Sequence, residues 1–313
     1  MPHDHHHHHA HADLDSGDRR VFLAVAVNAA LTVVQIAAGV ISGSLALIAD
    51  AIHNFSDALS LVIAFAARRI ARRPADEHMT FGYGRAEIVA ALINYTTLIV
   101  IAVYLAAEGV NRLLDPPEIE GWLVVIVATV ALVIDAATAL LIFGLSRSSV
   151  NMRAAFLHNV MDALGSVAVI VGGTLILLYD WRLVDPIVTL MIAGYILWHT
   201  LREIGPVIRI LMLASPERPR AGEVLEAMGD VEGVAEVHHL HLWQMGEHEV
   251  SLEAHVVHED GHAAARVKAA LKRLLVDRFD LHHTVLEMES AGDCCFNAPA
   301  IGHGSGAATR GQA

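Results

Sequence analysis

Six long apolar blocks constrain this chain more than any other feature. They run over residues about 21–41, 44–67, 86–110, 121–144, 154–178 and 184–208. Each is near or above the roughly 20 residues that a helix needs to cross a bilayer. Gly, Pro and charged residues punctuate them at Ser42-Gly43-Ser44, Arg72-Arg73-Pro74, Asp115-Pro116-Pro117, Ser146-Arg147-Ser148 and Asp180 to Pro186. With 55% hydrophobic and 18% charged residues, neither an ordinary cytosolic enzyme nor a disordered scaffold fits.

Basic residues set the orientation. With an internal N-terminus, Arg19, Arg20, Arg68, Arg69, Arg72, Arg73, Arg85, Arg147, Arg153, Arg202 and Arg209 lie inside, and only Arg112 and Arg182 lie outside. Such a bias sets topology. Six spans return the chain to the cytoplasm, so both termini are expected there. No cleavable signal peptide is visible, because the N-terminus is polar and lacks a basic stretch leading to a short apolar core.

After Leu213 the texture changes. Ser215-Pro216-Glu217-Arg218-Pro219 reads as a linker, and residues about 221–229 as a helix. Strand alternation covers about 234–245 and 249–258, with Val250, Leu252, Ala254 and Val256 on one face and a polar hairpin between. An amphipathic helix over about 262–279 and a strand over about 283–289 follow. The order αββαβ suits a small two-layer α+β domain. The expected organisation is a His-rich cytoplasmic tail (1–20), a six-helix transport domain (21–213), a cytoplasmic domain (214–290) and a disordered Gly/Ala-rich tail (291–313).

The net charge is −13, and residues 214–313 carry 16 acidic against 8 basic side chains. That balance argues against nucleic acid as a partner and suits cations. Cys294 and Cys295 are adjacent and are the only cysteines, so no disulfide framework exists. Of 21 histidines, seven lie within the first eleven residues. Such a tract is a metal-binding tail or a purification-tag remnant; the interruptions at Asp4 and Ala10 favour the first.

Ionisable residues inside spans are costly, so each is a candidate functional group. The second span carries Asp50, His53 and Asp57 on one helical face; the fifth carries His158 and Asp162, again one turn apart. Two helices thus hold the same His-x-x-x-Asp unit. Facing each other they offer two imidazoles and two carboxylates, a tetrahedral set suited to zinc. A polar network accounts for Asp50 without a ligand role. Asp135 reads as a core hydrogen-bonder or a proton and cation relay. Asn28 and Asn94 read as interhelical hydrogen-bonders, and His199 as structural.

The stretch Ser44-Leu45-Ala46-Leu47-Ile48-Ala49-Asp50-Ala51 leading to His53 and Asp57 resembles the cation diffusion facilitator family. So do Thr80-Phe81-Gly82-Tyr83-Gly84-Arg85-Ala86-Glu87, Leu157-His158 to Asp162 with Leu164-Gly165-Ser166-Val167, and Val237-His238-His239-Leu240-His241-Leu242-Trp243. The match covers residues 20–290. The resemblance implies a homodimer in the lipid bilayer that exports divalent metal in exchange for protons. It implies six transmembrane helices and a cytoplasmic ferredoxin-like domain. The transport site carries over to His53, Asp57, His158 and Asp162, with zinc as the cargo and cadmium or cobalt as the other candidates. A regulatory zinc site carries over to His238, His255, His282 and Glu289; solvent-exposed histidines are the plain alternative there. Cys294 and Cys295 are further candidate ligands.

This chain departs from the family pattern in two places. Where relatives hold a second metal after the second span, through an Asp and two His, it has Asp76, Met79 and Tyr83, so no strong site is expected. His78 is one residue out of step with that pattern. The short loop 145–150 lacks the His-rich insert of vesicular relatives, which resembles a bacterial plasma-membrane exporter. Two other classes fit the sequence less well. A membrane metalloprotease needs His-Glu-x-x-His on a helix of the membrane domain; the one such string, His258-Glu259-Asp260-Gly261-His262, lies outside the apolar blocks and carries a helix-disfavouring Gly261. A metal sensor binds zinc without moving it, and flux separates it from a transporter.

Overall fold

The computed structural model describes residues 29–146, 150–247, 249–290 and 299–302, apart from a few side chains, those of Asp57 and His158 among them. The chain divides into two compact units, residues 1–66 with 93–203 and residues 67–92 with 204–313. The N-terminal His tract, Asn28, Cys294 and Cys295 lie outside the described residues.

The first unit is helical. Its elements are α1 (Ala29–Ser42), α2 (Leu45–Ala71), α3 (Ala86–Leu114), α4 (Gly121–Ser146), α5 (Val150–Tyr179) and α6 (Val184–Leu211), whose ends in part belong to the second unit. Four of them, α3 to α6, are long and apolar enough to cross a membrane. In its described part α1 is a shorter apolar helix. At 27 residues α2 is about 40 Å long, and it carries buried polar groups. Several helices run past the apolar block that predicts them: α2 ends with Arg68 and Arg69 in its last turn, and α3 with Arg112. Charged residues at helix ends cost little, because they reach water.

Large apolar side chains point outward here. Val33, Val100, Leu140 and Met191 are 65%, 63%, 74% and 66% exposed. The interior is built from small residues instead, with Ala49, Ala51, Ala128 and Ala131 fully buried. Small residues let helix backbones approach closely, as membrane interfaces require. Helices α4 and α5 use this at Gly121 and Gly173. A Cβ on Gly121 would lie 2.8 Å from the Gly173 carbonyl oxygen.

A buried carboxylate closes one end of α2. Asp185, in the first turn of α6, accepts the Ser44 hydroxyl at 2.5 Å and the Leu45 and Ala46 amides at 2.9 and 3.3 Å. It caps the start of α2 from another helix, satisfying N–H groups that have no partner within α2. The chain enters α2 through Gly43 at φ +77°, whose carbonyl accepts the Arg112 guanidinium at 2.6 Å.

The second unit holds α7 (Ala221–Gly229), β1 (Val234–Gln244), β2 (Val250–His258), α8 (Ala264–Phe279) and β3 (His283–Glu289). The strand order is β1-β2-β3, antiparallel between β1 and β2 and parallel between β2 and β3. A parallel pair needs a crossover, and α8 supplies it. Leu252, Ala254 and Val256 of β2 pack with Leu271 and Leu275 of α8 and with Met228 of α7 into a buried core. The period-2 pattern of β2 therefore points its apolar face at the helices, and Ser251, Glu253 and His255 at the opposite face. Strand β1 breaks register between His238 and His241, with His239 at φ +54°. Residues 299–302, expected to be disordered, line this bulge. The His239 and Leu240 amides donate to Pro299 and Ala300 at 2.9 and 3.1 Å, and Leu240 bridges to Ile301.

Candidate metal centre

Helices α2 and α5 bring His53 and Asp162 together. His53 Nε2 lies 3.4 Å from Asp162 Oδ1, with Asp162 buried and His53 half-buried. The His53 ring stands edge-on to Tyr195 of α6, with centroids 6.2 Å apart, and the His199 ring stacks parallel to Tyr195 at 6.1 Å. Asp57 and His158 lie one helical turn along the same two helices, but their side chains lie outside the described residues. The described part of the expected four-ligand set is therefore one imidazole and one carboxylate in close approach.

Next to this pair stands a cluster of oxygen-bearing side chains. Asp50 accepts the Gln35 amide at 3.0 Å and the Ser166 hydroxyl at 3.3 Å, and Asp135 lies 3.5 Å from the same hydroxyl. All four are buried. Asp50 and Asp135 are visible in the sequence as charges within apolar blocks. Gln35 and Ser166 are not, because neutral polar residues in spans look like ordinary interhelical hydrogen-bonders.

In the second unit the sheet register assembles three more ligand-type residues. His238 and His255 are directly paired across β1 and β2, and Val257, on the same strand as His255, pairs with Glu289 across β2 and β3. One ligand atom from each of His238, His255 and Glu289 lies within 4.8 Å of the others. Glu289 spans the two rings, with Oε1 at 2.5 Å from His255 Nδ1 and Oε2 at 3.4 Å from His238 Nε2. His238 is 2% exposed; among the described residues its Nδ1 has no hydrogen-bond partner and its Nε2 meets Glu289 only as the 3.4 Å ion pair. Two imidazoles and a carboxylate with one ligand atom each this close together are a donor set that zinc takes. His282 is not brought to this cluster. It precedes β3, is exposed, and pairs with Asp280 at 2.8 Å. Glu287, which the sequence did not single out, comes within 3.5 Å of His255 Nε2, and the His239 ring stacks on His255 at 5.0 Å.

The loop after α2 is organised around Asp76. Asp76 accepts the Tyr83 hydroxyl at 2.7 Å and the His78 and Met79 amides at 2.8 and 2.9 Å. The Tyr83 hydroxyl, then the two amides, hold the Asp76 carboxyl below its ordinary value, and Asp76 in turn raises the Tyr83 phenol. A carboxylate with three donors already in place has little left to offer an ion.

Two family descriptions match the chain. "Cation efflux transmembrane domain" covers residues 21–212, and "Cation efflux protein, cytoplasmic domain" covers residues 216–291. The chain is 34% identical over 287 residues to the metal cation efflux system protein CzcD of Cupriavidus metallidurans, covering 91% of this chain and 90% of that one. It is 31% identical over 310 residues to the zinc transporter ZitB of Escherichia coli, covering 97% and 98%. It is 31% identical over 263 residues to a cadmium, cobalt and zinc/H(+)-K(+) antiporter of Bacillus velezensis, covering 83% and 84%. The protein is thus an integral membrane transporter and not an enzyme, and it belongs to the cation diffusion facilitator family of metal efflux transporters.

Proposed function

We propose that this protein exports Zn2+, with Cd2+ or Co2+ as further cargo, as a metal/proton antiporter working by alternating access. The observation that carries the reading is the approach of His53 on α2 to Asp162 on α5, two helices that also carry Asp57 and His158 one turn away. Cargo from the cytoplasm loses water and binds the two imidazoles and two carboxylates. Those ligands bind metal only as neutral imidazole and ionised carboxylate, so loading releases protons. The helices then turn the site outward. Protons from a more acidic exterior reload the ligands and release the metal, and the protonated site returns. Histidine suits this exchange because its unperturbed pKa of about 6.5 lies near the pH of both compartments.

The architecture that goes with this reading has six spans over residues 21–213 and cytoplasmic N- and C-termini. A ferredoxin-like cytoplasmic domain over residues 214–290 pairs two copies into a homodimer, in the inner membrane of a bacterium. His238, His255 and Glu289 hold a regulatory zinc there, and the acidic surface raises the local cation concentration. The N-terminal His tract adds to that attraction. The antiport reading is supported by the name of the Bacillus velezensis relative, and the zinc reading by that of ZitB.

Purified protein in proteoliposomes tests the reading. Zinc flux should appear with a pH gradient and fall when the gradient is collapsed. Flux indifferent to the gradient removes antiport and leaves transport. Zinc binding with no flux makes the protein a membrane sensor instead. Cross-linking in membranes should trap a dimer, and a fully active monomer would remove that part.

A further inference from the structure

The cluster of Gln35, Asp50, Asp135 and Ser166 is drawn from four helices, α1, α2, α4 and α5, and is shut off from solvent. The four residues are 0%, 2%, 5% and 0% exposed. Its ligand-type atoms are all oxygens. The Gln35 amide nitrogen donates to Asp50, which leaves Gln35 Oε1 buried with no hydrogen-bond partner among the described residues, on the side chain held against the Asp50 carboxylate. Ser166 has one proton and faces carboxylate oxygens of both Asp50 and Asp135, so it donates to one at a time. An acceptor without a donor beside two buried carboxylates calls for a cation.

Helices α2 and α5 put this cluster directly beside the His53–Asp162 pair. Asp50 precedes His53 by three residues, and Ser166 follows Asp162 by four. The helices run antiparallel, since His53 meets Asp162 and Asp50 meets Ser166. Both offsets therefore lead the same way along the bundle, by about 5 Å, toward the Ser44 end of α2. Gly165 leaves room for this approach, since an added Cβ would sit 3.0 Å from Asp50 Oδ1.

We propose that Gln35, Asp50, Asp135 and Ser166 form a second divalent-cation site, an all-oxygen station that the exported metal occupies after leaving His53 and Asp162. This rests on the export reading above. Two carboxylates are neutralised by one divalent ion and only half neutralised by a monovalent one. An oxygen-only set holds zinc less tightly than a set containing imidazole. A station on the way out needs that weakness, since a pathway site must bind well enough to be entered and loosely enough to be left.

The test uses the full-length protein. Zinc is added first to fill the histidine-containing sites, and Mn2+, a hard divalent probe, is then titrated and followed by electron paramagnetic resonance. Wild type should bind about one more Mn2+ per chain than Asp135→Asn, whose set has lost a charged oxygen. In proteoliposomes Asp135→Asn should export zinc about tenfold more slowly. The zinc affinity of the His53 site, read by competition with a fluorescent chelator, should stay within about twofold, because its ligands are intact. Gln35→Met keeps every charge and the side-chain length; it should weaken Mn2+ binding and slow export in the same direction by a smaller factor. Equal Mn2+ binding and equal export in wild type and Gln35→Met overturns the site, even where Asp135→Asn fails to fold. Loss of pH-gradient dependence in Asp135→Asn with Mn2+ binding unchanged overturns it in favour of a proton site. If wild type moves no zinc, the export reading fails, while the Mn2+ difference still decides the site.

Discussion

Removing the Asp185 carboxylate should loosen the helix that carries His53. The residue is 2% exposed and accepts three donors from the first turn of α2: the Ser44 hydroxyl and the Leu45 and Ala46 amides. Those three residues are 0%, 3% and 2% exposed, so water does not replace the carboxylate when it is cut back. Each stranded donor costs about 1–3 kcal/mol. The contribution of the carboxylate to the positive end of the helix adds about 0.3–1 kcal/mol. The losses share one site and do not add in full, which puts Asp185→Ala at about 4 kcal/mol. Asp185→Asn keeps one acceptor oxygen and the side-chain shape, and should cost about 2 kcal/mol. The assay is equilibrium unfolding in mixed micelles, with zinc flux measured on the folded fraction. The order should be wild type, Asn, then Ala, and the Ala variant should also bind zinc more weakly, because His53 lies on the helix whose start is freed. An Ala variant within 1 kcal/mol of wild type would refute the reasoning, since it would mean that α2 finds other partners for its first amides.

Three further outcomes are expected. His53→Asp replaces a borderline nitrogen with a hard oxygen, so initial flux should shift from cadmium toward manganese, with a lower pH optimum; an unchanged ranking of zinc, cadmium and manganese would take His53 out of the site. Replacing His238 and His255 together with Ala should lower the zinc bound per chain in equilibrium dialysis, slow transport modestly and leave the affinity of the membrane site unchanged. Because the Tyr83 hydroxyl and two amides depress Asp76, its contribution to loop order is full above the ordinary carboxylate pKa of about 3.9 and is lost as pH falls through its lower folded value; cleavage at the exposed Phe81 by pepsin, a protease that works in acid, should rise as pH falls, and Tyr83→Phe should move that rise to higher pH.

Much of the architecture was legible from local pattern. Apolar blocks set where α3 to α6 run, because a segment that faces lipid must bury its backbone polarity in its own hydrogen bonds, and that needs only length and composition. The period-2 alternation of β2 and the 3.6-residue period of α8 located the cytoplasmic core for a similar reason: each face meets one environment. His53 and Asp162 stood out because a charge in an apolar block is rare whatever it touches. Contacts between distant segments were decided only by the tertiary fold. Asp185 caps a helix that starts 140 residues earlier, and no local signal marks it as a cap. His282 looked as good a ligand as Glu289 in one dimension. The parallel pairing of β3 with β2, set by the α8 crossover, carries Glu289 to the two histidines and leaves His282 ahead of the strand beside Asp280. Gln35 and Ser166 are unremarkable in sequence, since a neutral polar residue acquires a role only from what the packing of four helices puts next to it.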